Sequence, residues 1–354
     1  MSILDLCFNQ PTSHVTVCTA NGEIVYALKK LDDKDTKDKD NKDNKDTKDS
    51  KNKEILCFEK QTDNKREGGV GILRMYGKTN IMFLVGGGTN PFASKDMFIM
   101  WDDKKKQRVY EVSMNEPIKN LRVMEDKAIV VLDRKVNVFN FKLGMSQLSS
   151  KITYSNPTGL CTVSNGKDFV IATLGTNKGE IAIWKPSNDT YKIVQAHQNN
   201  ITALAINYDG SLVATASETG TLVKVFVVET CKLKYEFRRG SSIMNIHDLA
   251  FNKDSSVLAC CSGTGTVHFF ELYEDKEKTK NVQSYLSGLK DYLPAYFGSH
   301  WGFKQVSIGT STKTVCSFDD EGVLHVVSYD GKYFNISGKE YDKINTGIID
   351  VNSG

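Results

Sequence analysis

Apolar residues fall in short runs rich in Val, Ile, Thr and Phe, broken at close intervals by Gly, Asn and Asp. Runs of this length, flanked by turn formers and lacking a 3.6-residue period, predict β-strands joined by hairpins. The clearest unit reads Ile201-Thr-Ala-Leu-Ala-Ile, a turn at Asn207-Tyr-Asp-Gly210, Leu212-Val-Ala-Thr-Ala-Ser, a turn at Glu218-Thr-Gly220, Leu222-Val-Lys-Val-Phe-Val, then Lys232 to Phe237. That makes four strands. The same order recurs from His247-Asp-Leu-Ala-Phe through Val257-Leu-Ala-Cys-Cys-Ser to Thr266-Val-His-Phe-Phe, and earlier copies begin near Ile72, Ile118 and Leu160. With Ile3 to Phe58 first and Trp301 to Val351 last, the units number seven. Four-stranded units starting every ~40 to 55 residues predict an all-β, seven-bladed β-propeller, a single domain over residues 1–354.

Two stretches interrupt the pattern. Residues 32–54 alternate Lys and Asp with almost no apolar content, so they cannot bury enough surface to offset chain ordering, and a disordered insertion in the first blade is expected. Residues 274–300 begin with the charged run Glu274-Asp-Lys-Glu-Lys-Thr-Lys. After it, Val282, Tyr285, Leu286, Leu289, Tyr292 and Leu293 share one helical face, Pro294 ends the pattern, and Tyr296-Phe297 follow. An amphipathic segment of this kind suits a membrane interface or a packed surface of the propeller itself.

Composition narrows the function. A net charge of +3 is too small to argue for a nucleic-acid partner, so any anion binding must be local. The eight cysteines lie scattered in apolar runs without a C-x-x-C pair, which fits reduced buried thiols in a cytosolic protein and leaves no expected metal site or cofactor. The N-terminus lacks the order of a signal peptide, and no apolar run reaches transmembrane length. Gly71-Ile-Leu-Arg-Met-Tyr-Gly77-Lys78-Thr79 has five residues between its glycines where a phosphate loop needs four. Asp319-Asp-Glu-Gly322 reads as a hairpin turn, not a calcium loop. No nucleophile can be paired with a base, so the sequence reads as a binding protein and not an enzyme.

One short stretch carries local positive charge. The strand Cys231-Lys-Leu-Lys-Tyr-Glu-Phe-Arg-Arg closes on Phe237-Arg238-Arg239-Gly240. Successive side chains of a strand point to opposite faces, so the two arginines serve two separate sites. On either side in sequence stand Ser217-Glu-Thr219-Gly-Thr221 and Ser262-Gly-Thr264-Gly-Thr266, rich in hydroxyls and backbone N–H groups able to surround an anion.

In these residues the chain resembles the PROPPINs, seven-bladed propellers that bind phosphoinositides through an L/F-R-R-G motif. The resemblance implies a first headgroup site of Arg238 with Ser217, Thr219, Thr221 and Lys224, joined by His197, and a second of Arg239 with Ser262, Thr264, Thr266 and His268. Lys224 offers a point charge without a planar fork. His197 also stands where WD repeats carry a structural histidine, and Trp101 and Trp184 where they carry a packing tryptophan. The ligands implied are phosphatidylinositol 3-phosphate and phosphatidylinositol 3,5-bisphosphate on vacuolar, endosomal or pre-autophagosomal membranes. The resemblance further implies a cytoplasmic monomer acting in autophagy with a protein partner, and membrane insertion through Tyr285, Leu286, Leu289, Tyr292, Leu293, Tyr296 and Phe297. A phosphate on Ser284 or Ser287 would oppose that insertion. The competing reading is a WD-repeat scaffold whose arginines grip an acidic peptide.

Overall fold

The computed structural model describes residues 2–31, 55–165, 169–272, 282–283 and 300–350. These residues contain no helix, and their strands form seven sheets. Blade 1 runs Ile3–Phe8, His14–Thr19, Gly22–Leu31 and Ile55–Lys65; blade 2 runs Val70–Met75, Ile81–Gly86, Met97–Asp102 and Gln107–Ser113. Blade 3 runs Asn120–Met124, Lys127–Val131, Lys135–Asn140 and Ser146–Ile152; blade 4 runs Cys161–Val163, Ile171–Leu174, Glu180–Lys185 and Thr190–Gln195. Blade 5 runs Ile201–Ile206, Leu212–Ser217, Leu222–Val227 and Leu233–Arg238. The innermost strands touch in sequence and the last returns to the first, which closes the propeller.

Strand alternation gives each blade two apolar faces, and each face must be covered by a neighbour. The buried side chains therefore gather into seven clusters, one for every seam between blades. In blade 5, Val213 and Phe226 face blade 4 and pack with Ile181 and Ile183. Their strand neighbours Ala214, Ala216, Val223, Val225 and Phe237 face blade 6 and pack with Leu249, Leu258 and Phe270. Phe237 stacks on Phe270 with ring centroids 4.8 Å apart. Trp184 is fully buried in the seam of blades 3 and 4, and Trp101 lies under the Arg66 guanidinium at 4.4 Å, so both act in packing. The eight cysteines are free thiols.

Each blade keeps its own four strands, so the ring closes between blades 7 and 1 without an exchanged strand. Blade 7 spans Thr314–Phe318, Leu324–Ser328, Lys332–Ser337 and Lys343–Ile348. Leu6, Val15, Val17, Ile24 and Tyr26 meet Val327, Tyr333 and Ile349 across that seam. Asn335 Nδ2 donates to the Leu56 carbonyl at 2.9 Å, and the Thr12 and Ser317 hydroxyls lie 2.8 Å apart.

The end of the chain departs from the sequence pattern. Blade 7 begins at Thr314 and not at Trp301, because Lys304–Ser307 pairs with Thr266–Phe269 as the fourth strand of blade 6. The first three strands of blade 6 are Ile246–Phe251, Val257–Ser262 and Thr266–Glu271. Just before its fourth strand, His300–Trp301 runs parallel to Phe237–Arg238 and in turn pairs with Val282–Gln283, so a short ladder is added to the outer edge of blade 5. Val282, the first position of the expected helical face, is thus in a strand. Tyr285, Leu286, Leu289, Tyr292, Leu293, Tyr296 and Phe297 lie outside the described residues, as do Ser284, Ser287 and the insertion at 32–54.

The strands that flank this insertion pair up to Leu31 and Ile55, so its two ends already sit opposite each other. Replacing residues 32–54 by a short Gly-Ser linker should leave the thermal midpoint nearly unchanged, since loop length enters stability only logarithmically. A melting scan of the full-length and shortened chains checks this, and a drop of about 5 °C or more would contradict it.

Candidate anion-binding site

The face that each residue of blade 5 presents follows from the packing already described. Phe237, like Val223 and Val225, faces blade 6. Glu236 and Arg238, one residue to either side, therefore face blade 4, as do Lys224 in the adjoining strand and Thr215 and Ser217 beyond it. Arg239 continues the alternation to the blade 6 side. The adjacent arginines thus belong to two different seams.

At the seam of blades 4 and 5, His197 follows the last strand of blade 4 and is buried. Its Nε2 lies 2.9 Å from the Thr215 hydroxyl, and burial together with the charge of Lys224 pushes its pKa down to about 4. Lys224 Nζ donates to the Ala196 carbonyl at 3.1 Å and sits 3.6 Å from the Glu236 carboxylate. Ser217 Oγ is 3.1 Å from Thr219 Oγ1 at the turn above. Arg238 is half-buried at the strand end, paired with Leu222 on one side and Trp301 on the other.

At the seam of blades 5 and 6, Arg239 is 5% exposed. Its Nε donates to the Gly220 carbonyl at 2.8 Å and one Nη to the Ser242 carbonyl at 2.6 Å. The other guanidinium donors have no hydrogen bond among the described residues. From blade 6, Ser262, Thr266 and His268 share the parity of Leu258, Cys260 and Phe270, which pack toward blade 5. Ser262 Oγ lies 2.8 Å from Thr264 Oγ1 and donates to the Thr266 carbonyl. Burial and then the charge of Arg239 bring His268 down to about 4. Its Nε2 is buried without a hydrogen-bond partner among the described residues. An unpaired buried nitrogen facing a guanidinium is a costly arrangement by itself, and an oxyanion entering the seam would relieve it.

The two hydroxyl turns share a left-handed glycine, Gly220 at φ 61° and Gly265 at φ 71°. A side chain on Gly220 would collide with the Met244 carbonyl, and one on Gly265 with that of Thr310, so each turn is clamped onto the chain entering the next blade. Blade 7 repeats the turn as Ser328-Tyr-Asp330-Gly331, where the Ser328 hydroxyl donates to Asp330. A carboxylate there repels phosphate, which sets this turn apart from those of blades 5 and 6.

The structure therefore sorts the expected residues by seam, with three adjustments. Thr221 shares the parity of Val223 and Val225, so it stands on the blade 6 side with Arg239 and not with Arg238. Lys224 is already engaged by Glu236 and a carbonyl, and the turn at Thr219–Thr221 also serves Arg239 through Gly220. Sequence reasoning missed Thr215, Glu236 and the Ser242 carbonyl, although stepping by two from Arg238 reaches Glu236. In the axial cavity of about 760 Å³ some charged groups pair with one another, as in Arg74–Asp5 at 2.6 Å and Lys253–Asp320 at 2.8 Å.

The PROPPIN family profile matches residues 83–299. SVP1-like protein 2 of Pichia angusta is 29% identical over 332 residues, covering 91% of this chain and 84% of the relative. Its namesake from Neurospora crassa is 34% identical over 172 residues, 49% of this chain, and this chain spans 39% of that relative's length. Autophagy-related protein 18e of Arabidopsis thaliana is 27% identical over 272 residues, 75% of this chain and 72% of its own. Among solved structures, a "Complex of KlAtg21 with coiled-coil of AgAtg16" superposes with a TM-score of 0.71 at 20% identity, covering 99% of this chain and 100% of that one.

The two histidines make stability depend on pH. Each is near 4 in the folded chain against an ordinary 6.5, so below pH 6.5 the unfolded chain takes up protons that the folded chain refuses, and stability falls. Between pH 6.5 and 5 each should cost roughly 1 to 2 kcal/mol. Urea unfolding of the wild type and of the double variant His197→Gln, His268→Gln checks this. The variant's curve should be flatter over that window, and parallel curves would contradict the assignment.

Proposed function

The chain belongs to the PROPPIN family, phosphoinositide-binding propellers of autophagy, and on that premise we propose that it recognises phosphatidylinositol 3-phosphate and phosphatidylinositol 3,5-bisphosphate through both seams of blade 5. The observation that carries this reading is the pair of adjacent arginines on opposite faces of one strand, each beside a hydroxyl-lined turn. Guanidinium groups supply charge and paired donors for phosphate, and the serine and threonine hydroxyls both donate to and accept from phosphate and inositol oxygens. As a phosphate approaches, it favours the protonated histidines, so headgroup binding strengthens as pH falls.

Two weak sites on one rigid body bind a membrane jointly, since the second lipid is captured from a high local concentration. The anchoring role expected for Tyr285, Leu286, Leu289, Tyr292, Leu293, Tyr296 and Phe297 fits this scheme. Of the described ends of that segment, His300–Trp301 pairs with the strand bearing Arg238 and Val282–Gln283 pairs with His300–Trp301 in turn, which supports its standing beside the headgroup seams. The work would take place on vacuolar, endosomal or pre-autophagosomal membranes, and the coiled coil bound by the solved relative supports a protein partner in addition to lipid.

Flotation with vesicles containing phosphatidylinositol 3-phosphate tests the reading. Arg238→Ala or Arg239→Ala alone should lower the bound fraction by more than half, and the double variant should abolish it. Arg239→Ala also leaves the Gly220 and Ser242 carbonyls unpaired, at a cost of about 1 to 3 kcal/mol, so folding is verified by circular dichroism. Retained flotation by a folded double variant would overturn the proposal and favour an acidic peptide as ligand.

A further inference from the structure

The linker from blade 5 to blade 6, Gly240-Ser-Ser-Ile-Met-Asn245, bridges the two hydroxyl turns. Met244 N donates to the Thr219 carbonyl at 3.2 Å, Gly263 N to the Asn245 carbonyl at 2.9 Å, and the Arg239 guanidinium holds the Ser242 carbonyl. Ile246, immediately after it, is buried in the core between the blades. Tied at these points, the linker is a fixed projection and not a loose loop.

At its tip Ile243 is 73% exposed, although a β-branched side chain has no energetic reason to remain in water. Isolated exposed apolar residues are common on protein surfaces, but two features single this one out. It stands between the turns of the two anion-binding seams. It also lies in a stretch, Gly240 to Ile246, without a charged residue in a chain that is 25% charged, and its exposed neighbours Ser241 and Ser242 carry hydroxyls. A protein partner reached through salt bridges would find nothing to pair with there. The boundary between lipid headgroups and acyl chains accepts such a tip, because no charge has to be desolvated.

We infer that Ile243 is a membrane-contact residue that enters the lipid interface between two bound phosphoinositide headgroups. This rests on the headgroup reading above. The contact is separate from the anchoring segment at 284–299, and it is coupled directly to the headgroup, because the same guanidinium that would meet a headgroup also fixes the backbone of the tip.

Three measurements on the full chain separate the possibilities. Titration with the soluble headgroup inositol 1,3-bisphosphate should give the same affinity for wild type and the uncharged variant Ile243→Ser. The partition of Ile243→Ser onto phosphatidylcholine vesicles doped with phosphatidylinositol 3-phosphate should fall about tenfold. Ile243→Trp should retain vesicle binding, and its emission, after subtraction of the wild-type spectrum, should shift to the blue on those vesicles. That shift should vanish when Arg238 and Arg239 are also replaced by Ala. Headgroup binding by the wild type, together with unchanged partition of Ile243→Ser and unshifted Ile243→Trp emission, would overturn this inference alone. Failure of the wild type to bind headgroup and vesicles alike would overturn the headgroup reading and the contact with it.

Discussion

A four-stranded blade has two apolar faces and no means of covering either, and from that constraint the rest of the molecule follows. Seven blades in a closed circle give every face a neighbour, and the buried side chains sort into one cluster per seam. Because the clusters occupy the seams, any polar chemistry in the same layer is confined to the seam ends. Arg238, Arg239, Lys224, His197 and His268 all stand at such ends around blade 5. The apolar core that precedes them also desolvates them, which keeps both histidines neutral at physiological pH.

The seams are not equivalent, and the differences are chemical more than geometric. Turns of one design close the second strands of blades 5, 6 and 7, each with a serine and a left-handed glycine. Blades 5 and 6 complete the turn with threonines, whereas blade 7 uses Asp330, whose carboxylate occupies the acceptor role that an anion would need filled by donors. At the first seam Glu236 stands 3.6 Å from Lys224 and competes with any ligand for that lysine. At the second, the guanidinium of Arg239 is held by two backbone carbonyls, and among the described residues no carboxylate pairs with it.

Much of this was legible in the sequence for a local reason. Hairpins are written in consecutive residues, so Ser217, Ser262 and their turns announce themselves, and the two-residue period alone assigns Arg238 and Arg239 to opposite faces. Pairings across long sequence separations leave no such trace. Lys304–Ser307 completes blade 6 after a gap of more than thirty residues from Glu271, and its few residues read as the start of the next blade. The helical spacing at Val282 likewise misled, because a two-residue strand paired to a distant partner has no periodicity of its own. The engagement of Lys224 by Ala196 and Glu236 was hidden for a third reason, since a carbonyl acceptor is present in every residue and marks none.

The closure between blades 7 and 1 has a mechanical meaning. Six seams are also spanned by the backbone, while this one is held by side chains such as Leu6, Tyr26, Tyr333 and Ile349 without a shared strand. The molecule is therefore a split washer. Parting that packed seam would unpair no strand, and in a split ring the bending that accompanies such parting is greatest opposite the split. Here that position is blade 4, whose last strand delivers His197 to the seam with blade 5. The two seams that flank blade 5 thus differ in their place in the ring: the one carrying His197 adjoins the blade opposite the closure, and the one carrying Arg239, braced by its own linker, lies one blade nearer to it.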